Sequence, residues 1–213
     1  MLLYLVRHGE TDWNRDSRIQ GSTDIPLNDT GRSQATATGT LLAQRQWDAI
    51  VSSPLSRAVE TAQLIAAQIG LSDVMLNAHI VERRYGEAEG MAIAELAERF
   101  PGDAPVPGRE TRDDVAARAM PALLTIAEQH PGGSVIVVSH GGLIRSVLGA
   151  VDPGTEHPPI TNGSVHSFRY VDGSFELLAF NDPISTESLA LAVTPFEVQN
   201  PVEQRENAGT GAV

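Results

Sequence analysis

Twice in this chain an unbroken apolar run ends directly in a polar residue, a histidine and a glycine. Leu2 to Val6 leads into Arg7-His8-Gly9, and Val135 to Val138 leads into Ser139-His140-Gly141. A short run with no polar alternation predicts a strand buried on both faces, which requires a sheet covered by helices on each side. Two such strands with polar residues at their carboxyl ends, where α/β sheets commonly carry their chemistry, predict one site built from both. Glycine after each histidine allows close backbone approach, which would leave amide donors free for an anion.

The intervening pattern supports an α/β reading. Thr30 is placed to cap a helix running to about Gln46, Asp48 to Val51 reads as a second strand, and a helix follows from Ser56 to a stop at Gly70. Val74 to Leu76 reads as a short edge strand and Met91 to Phe100 as a short helix. Thr111 heads a long helix to Gln129, in which Pro121 should cause a kink or a break. A helix over Leu143 to Ala150 follows the second histidine. Val165 to Val171 and Phe175 to Phe180, joined at Asp172-Gly173, read as an edge hairpin. The expected fold is a three-layer α/β/α sandwich around a mixed, mostly parallel sheet. One domain over residues 1–182 is expected, with a C-terminal extension over 183–213 of low apolar content.

Composition narrows the chemistry. No cysteine is present, so disulfides, thiolate metal sites and a cysteine nucleophile are excluded. All 15 basic residues are arginine, which also removes a Schiff-base lysine and a P-loop lysine. A net charge of −12 argues against nucleic acid or an anionic membrane as partner, so an anionic substrate has to be held by a local arginine cluster. The apolar start is too short for a signal-peptide core, and no run reaches the ~20 residues of a membrane span. A cytoplasmic location is expected. No HExxH or clustered His/Asp spacing suggests a metal, and no cofactor is expected.

Four separated segments, LVRHGETDWN, SSPLSRAVETA, ERRYGEAEG and SHGGLIR, together with the GxTDxPLxxxGxxQA pattern over Gly21 to Ala35, resemble the histidine phosphatase superfamily, also called the phosphoglycerate mutase-like family. The resemblance covers roughly residues 2 to 180 and agrees with the fold read above. It implies that His8 is a nucleophile forming a phosphohistidine, that Arg7 and Arg57 clamp the phosphate, and that His140 donates to the phosphoryl oxygens as an imidazolium. It makes Glu82 the general acid for the leaving group, and it places Asn14, Gln20, Gly21 and Gly141 in the phosphate pocket. Arg83 and Arg84 are expected to be solvated, and His79, His130, His157 and His166 match no motif.

The implied activity is metal-independent hydrolysis of a small phosphorylated metabolite, such as a sugar phosphate, a phosphoglycerate or a glycosylated phosphoglycerate. A phosphoglycerate mutase is the alternative on the same residues. The short interval between Glu82 and His140 and the Gly142 position favour the phosphatase, whereas Glu82-Arg83-Arg84-Tyr85-Gly86 is close to the mutase version. A non-catalytic binder of phosphorylated ligands or of protein is the alternative of another class. A homodimer through the hairpin edge and C-terminal extension is compatible with the pattern.

Overall fold

The computed structural model describes residues 1–184. In chain order the elements are β1 (Leu2–Arg7), α1 (Asp12–Arg15), α2 (Asp29–Leu42), β2 (Ala49–Ser52), α3 (Ser56–Ile69), β3 (Met75–Leu76), α4 (Ile93–Arg99), α5 (Arg112–Gln129), β4 (Ser134–Ser139), α6 (Gly141–Val151), β5 (Val165–Val171) and β6 (Ser174–Ala179). The six strands form one sheet in the order β3-β2-β4-β1-β5-β6. The first four are mutually parallel, and β5 and β6 are antiparallel additions beside β1. The expected mixed, mostly parallel sheet is therefore present.

Side-chain alternation explains why the central strands are apolar throughout. Leu3 and Leu5 of β1 pack with Val135 and Val137 of β4 against α5 and α6. Tyr4 and Val6, with Ile136 and Val138, face α3 and Leu42 of α2 on the opposite side. Each fully buried Leu or Val contributes ~1.5–3 kcal/mol of transfer free energy, so a polar residue between Leu3 and Val6 would be costly on either face. A third apolar cluster, of Ile19, Tyr85, Ala88, Leu96, Phe100 and Val106, lies apart from both and anchors the loops around residues 19 and 85–106.

Local details depart from the sequence expectation in two places. The cap of α2 is Asn28, whose side chain accepts from Gly31 N, rather than Thr30, and the helix ends at Leu42. Asn is at least as good an N-cap acceptor as Thr, which explains the earlier start. Pro121 does not break α5, which runs uninterrupted to Gln129. Both Pro121 and Ala117, the residue whose carbonyl loses its i+4 donor, lie on the exposed face, where solvent satisfies the freed carbonyl. Of the extension expected over 183–213, all beyond 184 lies outside the described residues, so this limb of the dimer expectation does too. No described helix is long and apolar enough to cross a membrane.

Candidate active site

The parallel pairing of β1 with β4 sets Arg7 opposite Ser139, so the next residue of each strand is a histidine at the same sheet edge. The two imidazoles stand 5.1 Å apart between centroids with planes tilted by 59°. His8 Nδ1 lies 2.7 Å from Gly9 O, a carbonyl that can only accept. The proton is thereby assigned to Nδ1, and Nε2 carries a free lone pair. Burial, reinforced by the Arg57 and Arg7 guanidiniums, pushes the His8 pKa well below its ordinary value and keeps the ring neutral.

His140 is depressed in the same way, by burial first and then by Arg57, His8 and Arg7. The imidazolium expected at this position therefore runs against its surroundings in this arrangement. Its Nε2 is 2.8 Å from Ser53 Oγ, and its Nδ1 is buried with no hydrogen-bond partner among the described residues.

Arg57, on the first turn of α3, is fully buried. It donates through Nη1 to Thr23 O (2.9 Å) and through Nη2 to Gly21 O (2.8 Å), while Nε has no partner among the described residues. Burial lowers its pKa to about 10, which leaves it charged at neutral pH. Arg7 donates to Ile160 O. Two buried guanidiniums thus bound the same space as the two histidines.

The loop opposite is shaped by a residue that sequence reasoning quoted but did not use. Glu89 accepts from Ser22 N (3.0 Å), Thr23 N (3.0 Å), Thr23 Oγ1 (2.7 Å) and Tyr85 N (3.1 Å). Burial raises its pKa, but these donors together outweigh it and hold the carboxyl below the usual range. Gly21 adopts φ +57°, and a Cβ there would stand 2.2 Å from Glu89 Oε1, so any other residue would be strained and would have to displace the Glu89 carboxylate. Gln20, only 7% exposed, has its Oε1 unpartnered among the described residues.

Asn14 Oδ1 accepts from Thr11 N (3.1 Å) and from Asn162 Nδ2 (3.3 Å), which orients the Asn14 amide with its NH2 group away from these partners. Asn162 also donates to His8 O at 3.0 Å, a buttress not foreseen from the sequence because it sits in an irregular loop with no motif. Gly9 departs from expectation. Its N–H is taken by Thr61 Oγ1 at 3.1 Å, leaving no free amide, and its lack of a side chain is needed because a Cβ would lie 2.3 Å from Gly31 O. At Gly141 a Cβ would make only ordinary contacts with the Arg7 side chain, the nearest with Nε at 3.5 Å, which places this residue beside Arg7.

Glu82 is 7% exposed and lies against the start of α6. Oε1 accepts from Arg83 N (2.7 Å) and Leu143 N (3.0 Å), and Oε2 accepts from Gly142 N (3.1 Å). Its charge interacts with Arg57. Arg84 is exposed as expected, whereas Arg83 is buried, donating through Nε to Glu110 O at 2.8 Å. The structure therefore brings Arg7, His8, Asn14, Gly21, Arg57, Glu82, His140 and Gly141 to one end of the sheet. His166 is elsewhere, buried on β5 with its pKa lowered to about 3 by burial and by Arg145 and His157.

A neutral imidazole with one open nitrogen, walled by two buried guanidiniums at the carboxyl end of a mostly parallel sheet, defines a protein that handles a tetrahedral oxyanion such as a phosphoryl group. The chain belongs to the histidine phosphatase superfamily (branch 1), whose family model matches residues 3–183. It is 37% identical over 180 residues to the uncharacterized phosphatase PhoE of Bacillus subtilis, covering 83% of this chain and 92% of that one. It is 33% identical over 207 residues to a metal-independent phosphoserine phosphatase of Arabidopsis thaliana, covering 92% and 87%. A mycobacterial glucosyl-3-phosphoglycerate phosphatase, solved with VO3, superposes with a TM-score of 0.78 at 31% identity, covering 84% of this chain and 98% of that chain. The chain is a phosphoric monoester hydrolase of this superfamily.

Proposed function

We propose that residues 1–182 form the catalytic unit of a metal-independent phosphatase that passes the phosphoryl group of a small phosphorylated metabolite through His8. The observation that carries this reading is the His8 Nδ1–Gly9 O bond, which leaves a neutral ring with Nε2 as its lone-pair atom. In the first step Nε2 attacks phosphorus while Arg7, Arg57 and the Asn14 amide hold the non-bridging oxygens. If Ser53 Oγ donates to His140 Nε2, the buried Nδ1–H of His140 is a further donor awaiting an acceptor. The P–O bond to the alcohol breaks as the Glu82 carboxyl gives its proton to the departing oxygen. In the second step the Glu82 carboxylate takes a proton from water, whose oxygen attacks the phosphohistidine, releasing inorganic phosphate and restoring Nε2.

The guanidiniums supply the positive charge that the reaction needs, which supports a metal-free mechanism, as does the metal-independent relative. Sugar phosphates, phosphoglycerates and glycosylated phosphoglycerates are the proposed substrate class, supported by relatives acting on phosphoserine and glucosyl-3-phosphoglycerate. A cytoplasmic site of action, where such esters are made, belongs to the same proposal. The test is phosphate release from a panel of these esters with chelator present, beside conversion of 3-phosphoglycerate to 2-phosphoglycerate with bisphosphoglycerate supplied. Rapid release with an acid-labile phosphoryl group trapped on His8 supports the reading. Rapid isomerisation with little release would move the assignment to the mutase, and silence in both to a binder.

A further inference from the structure

The segment carrying Glu82 has no strand partner where it approaches the site, yet its carbonyls are not left to solvent. Arg118, on α5, donates through Nη1 to His79 O and Val81 O, each at 2.9 Å, and through Nη2 to Glu82 O at 3.0 Å. Ser139 Oγ, at the end of β4, donates to the intervening Ile80 O at 2.8 Å. Four consecutive carbonyls, ending at Glu82 itself, are thus each bound by a side chain.

Arg118 is oriented in turn by Glu110. Nε reaches Glu110 Oε1 at 3.2 Å and Nη2 reaches Oε2 at 3.1 Å. A guanidinium has five N–H groups, and Arg118 has five acceptors, so none remains for a substrate. Glu110, 7% exposed, also grips the other side of Glu82. Its carboxylate accepts from Arg84 N at 2.8 Å, its N–H donates to Arg84 O at 2.9 Å, and its carbonyl accepts from Arg83 Nε at 2.8 Å. Hydrogen bonds from Arg118 and Arg84 outweigh the burial that would otherwise raise its pKa, so it stays the ionised partner.

We propose that Arg118, braced by Glu110, is a positioning residue that fixes the main chain of Glu82 so that its carboxyl stands at proton-transfer distance from the leaving-group oxygen. The inference rests on Glu82 being the general acid. Proton transfer needs a heavy-atom separation of ~2.6–3.2 Å, and a misplacement of ~1 Å costs ~100-fold. The α6 amides hold the carboxylate, whereas Arg118 holds the main chain on which it stands, so loss of Arg118 loosens the height at which the carboxyl is presented.

The test compares kcat/KM, which reports the phosphorylation of His8, for 3-phosphoglycerate and for p-nitrophenyl phosphate, whose leaving group needs little protonation. Arg118→Gln should lower the first by ~10–100-fold and the second by less than ~3-fold, with the inhibition constant of inorganic phosphate within ~2-fold of the parent. Arg118→Lys and Glu110→Gln should show the same selectivity to a smaller degree, and they decide the matter if Arg118→Gln does not fold. Glu82→Gln is measured beside them. Equal losses on both substrates in the Arg118 and Glu110 variants, with Glu82→Gln selective, would overturn the positioning role and leave the acid role standing. Equal losses in Glu82→Gln would overturn the acid role and the positioning role with it.

Discussion

His8 does two jobs through its two nitrogens, and each has a separate consequence. Replacing it by Ala removes the proposed phosphoryl acceptor, and turnover should fall by about 10⁴-fold or more while the circular dichroism spectrum is retained. Burial and the two guanidiniums hold its pKa well below the ordinary value, so the neutral, attacking form persists as pH falls through the range where a free histidine protonates. The acid limb of kcat/KM assigned to the nucleophile should therefore lie well below pH 6.5 in a pH series corrected for substrate ionisation. A limb at an ordinary histidine value would mean that the ring is solvated in the working enzyme. That His8, His140, Arg7 and Arg57 would meet at one site was legible in the sequence because they stand in motifs at strand and helix ends. Ser53, Thr61 and Asn162, which orient those groups, were not legible as such, because a hydrogen bond from a loop side chain leaves no periodicity or spacing behind.

Elements meet the site through contacts that admit no side chain. The start of α2 packs on the loop after β1 through glycine against backbone, with a Cβ at Gly31 falling 2.1 Å from Glu10 O. Gly31→Ala should destabilise the fold by about 1–3 kcal/mol, read from urea denaturation, and should reduce activity by shifting the His8 loop. Glu89 ties a second loop, and its loss acts differently. Glu89→Gln should raise KM for a phosphomonoester by ~10-fold with a smaller change in kcat, because the loop residues that Arg57 binds lose their shared anchor. An unchanged KM would show that Arg57 alone shapes that loop. Strands and helices, the short α4 included, were legible from apolar spacing, whereas the rest of the 85–106 region was not. Its order comes from a small satellite cluster whose members are spread along an irregular stretch, and from carboxylates that sequence reading takes for solvated charge.

For the whole molecule, three buried histidines couple folding to pH. His8, His140 and His166 all have pKa values below 6.5 in the folded state, that of His166 about 3. The unfolded chain, with ordinary values, binds more protons once the pH falls below 6.5, so stability is full above that pH and is lost as the pH drops. Each histidine contributes a slope of ~1.4 kcal/mol per pH unit, and together they approach ~4 kcal/mol per unit between pH 6 and 5. Urea denaturation across that interval checks the slope, and His166→Phe should remove about a third of it without touching catalysis. A flat profile would mean that the folded protein takes up protons at these sites.

The buried and half-buried arginines share a habit that reaches beyond catalysis. Arg57 binds the carbonyls of residues 21 and 23, Arg118 those of 79, 81 and 82, Arg145 those of 157 and 158, and Arg7 that of 160. Their acceptors are peptide groups, present whichever residue occupies the position. Loop side chains can therefore be exchanged, by evolution or in a designed library, while these anchors survive.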